Sequence, residues 1–301
     1  MSTPEKWIIG TRGSDLALWQ ARWVQSLLAS AGFLTELKII KTAGDQIQHL
    51  SFEKMEGKGF FTKEIEAALA SREIDIAVHS CKDLETTDAP GLIIAAIPER
   101  ADPRDVLLLH PTFKDGINWR NLPSNAIIGT SSARRKCQIS QLIPTCTIKD
   151  LRGNVPTRVD KLRRGEYDAI ILAQAGLQRL QLDLNDLTAI PLEASEFVPA
   201  AAQGALAIQC RKNDTTLFSV LENLSHQPSL EAVQTERRLL RAMGGGCQVP
   251  AGIHCQFANG TWKIFLSIAK SWSDQPWRHQ AEGVDLNQIA LEIEHEIARR
   301  N

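Results

Sequence analysis

Apolar residues recur along the first hundred positions in two alternating rhythms. Trp7 to Gly10 reads as a short strand, and Ser14 and Asp15 then stand where a helix is capped, with Leu16, Trp19, Trp23 and Leu27 following at helical spacing. Leu34 to Lys41 predicts a second strand, Thr62 to Ser71 a helix, and Ile74 to Ser80 an apolar strand that ends at a polar turn. Alternation of β and α over this length predicts a mainly parallel sheet with helices on its faces.

The plan is then repeated. Ile8-Ile9-Gly10-Thr11 is echoed by Ile127-Ile128-Gly129-Thr130, each followed by a serine and a helix. Arg72-Glu73-Ile74-Asp75-Ile76-Ala77 is echoed in the same order by Gly165-Glu166-Tyr167-Asp168-Ala169-Ile170. Two similar α/β domains explain both echoes. From about Thr215 the rhythm changes to two helical stretches, a Gly244-Gly245-Gly246-Cys247 turn, strands around Ile253 to Phe257 and Trp262 to Ala269, and an amphipathic helix from Leu286 to Arg300. A third, α+β domain is expected there.

The 301 residues carry a formal net charge of -1 and no long charged block, so overall charge points to neither nucleic acid nor a membrane surface. The opening MSTPEKWIIGTRG has no apolar signal core and no run is long enough to span a bilayer, so a cytoplasmic protein is expected. The six cysteines form no CxxC pair and are expected to be reduced, most of them small buried hydrophobes.

Functional charge must therefore be local. Open α/β sheets bind ligands beyond the carboxyl ends of their strands, where helix N-termini favour anions, and both Gly-Thr turns lie at such a place. Arg12, Lys58, Lys63, Lys82, Arg134, Arg135, Arg152 and Arg158 gather at these loop ends. Arginine forks pair bidentately with carboxylates, which fits a ligand bearing several of them. Arg134 and Arg135 are expected to stand at a helix N-terminus and to act through recognition, with little part in folding. Asp83, in His79-Ser80-Cys81-Lys82-Asp83 at a strand end, is the best candidate for a catalytic carboxylate, although a cap or an ion pair with Lys82 explains it as well. His79 is expected to be a hydrogen-bonded structural residue, and no metal is expected. Cys247 lies on a glycine-rich loop with no histidine partner marked by spacing.

Taken in order, these motifs resemble one family over almost the whole chain. They run from Gly10-Thr11-Arg12 with Ser14 and Gln20-Ala21, through Lys41-Thr42 with Gly44-Asp45 and Gly57-Lys58-Gly59, to Asp75-Ile76-Ala77-Val78-His79-Ser80 with Lys82-Asp83. They continue in Gly129-Thr130-Ser131-Ser132 with Arg134-Arg135, Leu151-Arg152-Gly153-Asn154 with Arg158, Ala175-Gly176-Leu177 with Arg179, Gln203-Gly204, Glu236-Arg237, and Gly245-Gly246-Cys247 with Pro250. The sequence is similar to the porphobilinogen deaminase (hydroxymethylbilane synthase) family.

That resemblance implies two domains like type II periplasmic binding proteins around a cleft, spanning 1–101 with 200–221 and 102–199, and a smaller α+β domain over 222–301. It implies a transferase that deaminates porphobilinogen and joins four molecules head to tail, releasing hydroxymethylbilane for a uroporphyrinogen III synthase. The cofactor it implies is a dipyrromethane primer linked by a thioether to Cys247, with Asp83 catalytic. Arg12, Ser14, Gln20, Lys58, Ser80, Lys82, Thr130, Ser131, Ser132, Arg134, Arg135, Arg152, Arg158, Arg179 and Gln203 are the implied cofactor and substrate contacts, in a monomer. Glu85 in place of proline, Ala251 in place of a larger aliphatic residue and Phe60 in place of leucine depart from the family pattern. The competing reading is a non-catalytic receptor for an anionic ligand with the same two-domain architecture, which needs the arginines but neither Asp83 nor Cys247.

Overall fold

The computed structural model describes residues 6–42, 62–113, 118–244 and 249–300, which fall into two compact units. One comprises Met1–Ala101 with Gly204–Glu231, the other Asp102–Gln203 with Ala232–Asn301. Lys58 and Cys247, with Phe60 and the glycines beside them, lie outside the described residues.

The first unit is built on a five-stranded sheet, order β2-β1-β3-β10-β4. Its strands are β1 (Trp7–Thr11), β2 (Thr35–Ile39), β3 (Ile76–Ser80), β4 (Leu92–Ala96) and β10 (Leu206–Arg211). β1 runs parallel to β2 and β3, whereas β10 is antiparallel to both of its neighbours. Helix α1 (Asp15–Ser30) presents Ala21, Val24 and Leu28 to Ile9, Ile76, Val78 and Ile208, joined by Leu217 and Leu221 of α6 (Thr215–Glu222). The opposite face is closed by Ile65 and Leu69 of α2 (Lys63–Ala70) against Ile74 and Ala77.

The second unit repeats this sheet in the order β7-β6-β8-β5-β9. Its strands are β5 (Asp105–Leu109), β6 (Ile127–Gly129), β7 (Thr147–Lys149), β8 (Ala169–Ala173) and β9 (Thr188–Leu192). Again the first three are parallel and the fourth strand is antiparallel to both neighbours. β5 is apolar on both faces because both are covered: Leu107 and Leu109 pack towards Ile139 of α3 (Ala133–Leu142), Val106 and Leu108 towards Val159 and Leu162 of α4 (Val155–Arg163) and Leu177 of α5 (Gln174–Leu180).

The two sequence echoes meet in space, which is why they recur together. A Cβ on Gly10 would collide with Ile74, and one on Gly129 would stand 2.7 Å from the Tyr167 ring. The next residue in each case is an aspartate that closes the strand start: Asp75 accepts from Ile8 N–H at 3.0 Å and Asp168 from Ile127 N–H at 2.7 Å.

A separate antiparallel sheet of β11 (Ala251–Ala258), β12 (Thr261–Ile268) and β13 (Trp277–Gly283) packs against α7 (Gln227–Ala242) and α8 (Leu286–Arg300). Leu286, Ile289, Ile293 and Ile297, the stripe expected of a terminal helix, are buried there. Among the described residues no helix is long and apolar enough to cross a membrane.

Candidate active site

In the first unit the candidate residues cluster at the carboxyl edge of two neighbouring parallel strands. Arg12 follows β1, and Ser80, Lys82 and Asp83 close β3. Ser14 caps α1, its Oγ accepting from Ala17 N–H at 3.4 Å, while the buried Thr11 hydroxyl donates to Ala17 O. Gln20, 3% exposed on the second turn, donates through Nε2 to Ser80 Oγ at 2.9 Å, so it supports the end of β3 from beneath.

Residues 81–83 form one turn of 3-10 helix. It is pinned by Cys81 N–H donating to Ala205 O at 3.0 Å and by the buried Leu84 side chain, so Glu85 does not leave it unsupported where the family pattern has proline. The Asp83 carboxylate is half-buried and makes no hydrogen bond or ion pair to another described residue. His79, one residue back in the strand from Ser80, is buried, and burial pushes its imidazole pKa down to about 4 against an opposing pull from the Gln209 side chain. Burial and the hydrogen bond with the Gln209 side chain agree with the sequence expectation, while Nε2 has no partner among the described residues.

In the second unit the same edge of the sheet carries cations. Thr130, Ser131 and Ser132 follow β6, Arg152 follows β7, and Arg158 lies in α4. Each hydroxyl has a local task. Thr130 Oγ1 accepts from Ser132 N–H at 3.3 Å, Ser131 Oγ donates to Leu151 O at 3.0 Å, and Ser132 caps α3. Asn154 caps α4, and the preceding Gly153, at φ 112°, exposes a carbonyl that accepts from Arg158 Nε at 2.7 Å.

Arg134 and Arg135 do occupy the first turn of α3, but they do not stand open there, which corrects the expectation that they play little part in folding. They are 5% and 7% exposed and share the fully buried carboxylate of Asp105. Arg134 Nη1 donates to Oδ2 at 2.7 Å, and Arg135 donates to Oδ1 from Nε at 3.0 Å and Nη2 at 2.7 Å. Gln203 Nε2 adds a further bond to Oδ1 at 3.0 Å. Burial pushes the Asp105 pKa up, but the two guanidiniums more than reverse this and hold it far below the usual carboxylate range. Sequence reasoning missed Asp105. The available signal was one acidic residue opening a wholly apolar strand, Val106 to Leu109.

Two carboxylates face the charge gathered here: Asp105, and Asp150, which lies 2.8 Å from Lys136 Nζ and 4.0 Å from Arg152 Nη2. The Arg158 pKa is lowered to about 10, first by burial and then by repulsion from Arg135 and Arg152. Arg179, also buried, is lowered to about 10 by burial alone. The repulsion of Arg158 by Arg135 and Arg152 is relieved by an anion that comes to this wall, whereas the Arg179 shift reports burial only.

The segment holding Cys247 is bracketed by described anchors. Gly244, at φ 65°, ends the α7 side, and on the other side Ile253 N–H donates to Pro199 O at 2.9 Å. A Cβ on Gly252 would lie 2.5 Å from Val198 O, so glycine is required for β11 to approach this segment. Ala251 is buried in that contact region. Glu236, fully buried, accepts from Cys255 N–H at 2.7 Å and from Ala202 N–H at 2.6 Å.

Residues 7–219 match the model for the porphobilinogen deaminase, dipyromethane cofactor binding domain. The chain belongs to the porphobilinogen deaminase family. It is 46% identical over 293 residues to the porphobilinogen deaminase of Brevibacillus brevis, covering 96% of this chain and 92% of that one. Against the protein of the same name from Syntrophomonas wolfei subsp. wolfei the identity is 46% over 263 residues, 87% and 84% of the two chains. The Synechococcus elongatus porphobilinogen deaminase is 42% identical over 97% and 91%. Among solved structures, substrate-binding domain 2 of Lactococcus lactis GlnP aligns over 81% of this chain and 94% of that one at 15% identity, with a TM-score of 0.45. Cys247 lies beyond the span matched by the family model.

Proposed function

We propose that this chain is a porphobilinogen deaminase, a transferase that joins four porphobilinogen molecules head to tail on a dipyrromethane primer and releases hydroxymethylbilane. The observation that carries this reading is the presence, within one family member, of a cationic wall in which Arg135 and Arg152 repel Arg158, and of a strand-end carboxylate with no bonded partner among the described residues. Such a wall fits a primer and a substrate bearing acetate and propionate groups. Arg152, Arg158 and Arg179, with Arg134 and Arg135 behind them, hold those carboxylates on the second unit. Arg12 and Lys82 serve the first, and Ser14, Gln20, Ser80, Thr130, Ser131, Ser132 and Gln203 keep the turns in shape. Lys58, from outside the described residues, belongs with the cations.

When bound, the primer supplies an electron-rich pyrrole carbon as the nucleophile. Asp83 acts on the substrate, holding the pyrrole N–H through its carboxylate and stabilising the positive charge that develops as the C–N bond breaks and ammonia leaves. The arginines fix the orientation of the reacting rings. We assign the thioether attachment to Cys247, the linear product to a uroporphyrinogen III synthase, and the working form to a cytoplasmic monomer of three domains bounded near residues 101, 199 and 221. The receptor alternative is not favoured by the family match.

Intact mass tests the attachment. Protein made in cells that synthesise porphobilinogen should exceed the encoded mass by two linked pyrroles, and Cys247→Ala should remove the excess. An encoded mass alone in the unaltered protein would overturn the primer assignment.

A further inference from the structure

We propose that Asp105 is a positioning residue: an internal clip that holds Arg134 and Arg135 side by side so that their charge is directed at the acidic ligand. The inference rests on the deaminase reading and concerns how its anion-binding wall is kept in order. Two adjacent guanidiniums on the first turn of α3 repel one another, and burying them costs more still. Asp105 answers both difficulties by giving one oxygen to each: Oδ2 to Arg134, Oδ1 to Arg135.

The clip is itself held. Asp105 opens β5, where it pairs in register with Ala173 on one side and Leu192 on the other, so its backbone cannot drift. Arg134 Nη1, the nitrogen that meets Asp105, also donates to Val198 O at 2.8 Å, and Arg135 donates from Nη1, on the far side of its fork, to Ile171 O at 3.0 Å. Gln203 supplies the neutral donor to Oδ1, and the residue before it, Ala202, is kept at φ 61° by the hydrogen bond of its N–H to Glu236. Each guanidinium is therefore ordered before any ligand arrives. The triad of two cations and one anion keeps a net charge of +1, to which Arg158 responds through its repulsion from Arg135. A ligand carboxylate meets charges that need no further ordering, and the affinity that ordering would have cost is retained.

The test is Asp105→Asn, which keeps the shape and removes the charge. Among primer-loaded molecules, identified by intact mass, KM for porphobilinogen should rise at least tenfold while kcat falls less than threefold, and the loaded fraction of the preparation should drop. Asp105→Glu, which restores the charge in a space too small for it, should lie closer to the unaltered protein in KM even though its melting temperature is no higher than that of the Asn variant. A purely structural residue would lower the melting temperature and leave KM unchanged well below it, and that result would overturn the proposal. Should the Asn variant not be recovered folded, Gln203→Met tests the same clip without touching a charge, with a KM rise of threefold or more expected and an unchanged KM counting against it. Absence of primer from the unaltered protein would instead refute the deaminase reading.

Discussion

The two five-stranded sheets share a strand order and a set of glycine and aspartate contacts, yet the edges at the carboxyl ends of their parallel strands are furnished in opposite ways. At the end of β3 the first sheet supports its turn with neutral groups, Gln20 on Ser80, and leaves Asp83 without a bonded partner among the described residues. At the matching edge of the second sheet, the carboxylate of Asp105 is fully buried and bound by two arginines and an amide. One acid has no bonded partner among the described residues, and the other is fully engaged. The difference arises from the fourth strand: β5 starts with Asp105 where β10, its counterpart, starts with Leu206.

Removing one charge from each edge should separate them most sharply. Asp83→Asn should leave melting unchanged and slow single-turnover consumption of porphobilinogen by primer-loaded protein by about 10²–10³ or more. Asp83→Glu, which keeps the charge, should be less impaired. Near-normal turnover by the Asn variant would erase the contrast and leave Asp83 as a turn residue. A smaller but still large effect is expected from the other side. Arg135→Gln should destabilise the protein by about 3 kcal/mol in denaturant titration, because it leaves part of a buried carboxylate unpaired. Full stability would return Arg135 to the ordinary surface.

The smallest effect concerns pH. With a folded pKa of about 4 against an ordinary 6.5, His79 stays neutral inside the first sheet while the unfolded chain takes up a proton. Its contribution to stability is fully present above pH 6.5 and is lost as pH falls through that window towards 4. Between pH 7 and pH 4.5 the loss should be about 2–3 kcal/mol. His79→Leu should flatten that dependence, and an unaltered slope would place the acid sensitivity elsewhere.

Much of the scaffold was legible in the sequence because its signals are local. Gly10 and Gly129 are glycines because a side chain packs directly over each, and the helix-capping serines lie next to the strands they follow. The state of Arg134 and Arg135 was not legible, since their partner lies 29 and 30 positions away and is a single acid before an apolar run. β13 also escaped notice: Trp277–Gly283 alternates between half-buried and exposed residues and lacks the apolar stripe that marks a strand. Asp83 was the reverse case. Its position at a strand end was readable, and its lack of a bonded partner among the described residues required coordinates.

The placement of β10 between β3 and β4 has a consequence for birth order on the ribosome. The first sheet lacks its fourth strand until Leu206–Arg211 has been made, whereas every strand of the second sheet is present once Leu192 has emerged. The sheet made second is thus the first to have all of its strands. Until then the apolar edges of β3 and β4 wait unpaired, a natural point of engagement for a chaperone.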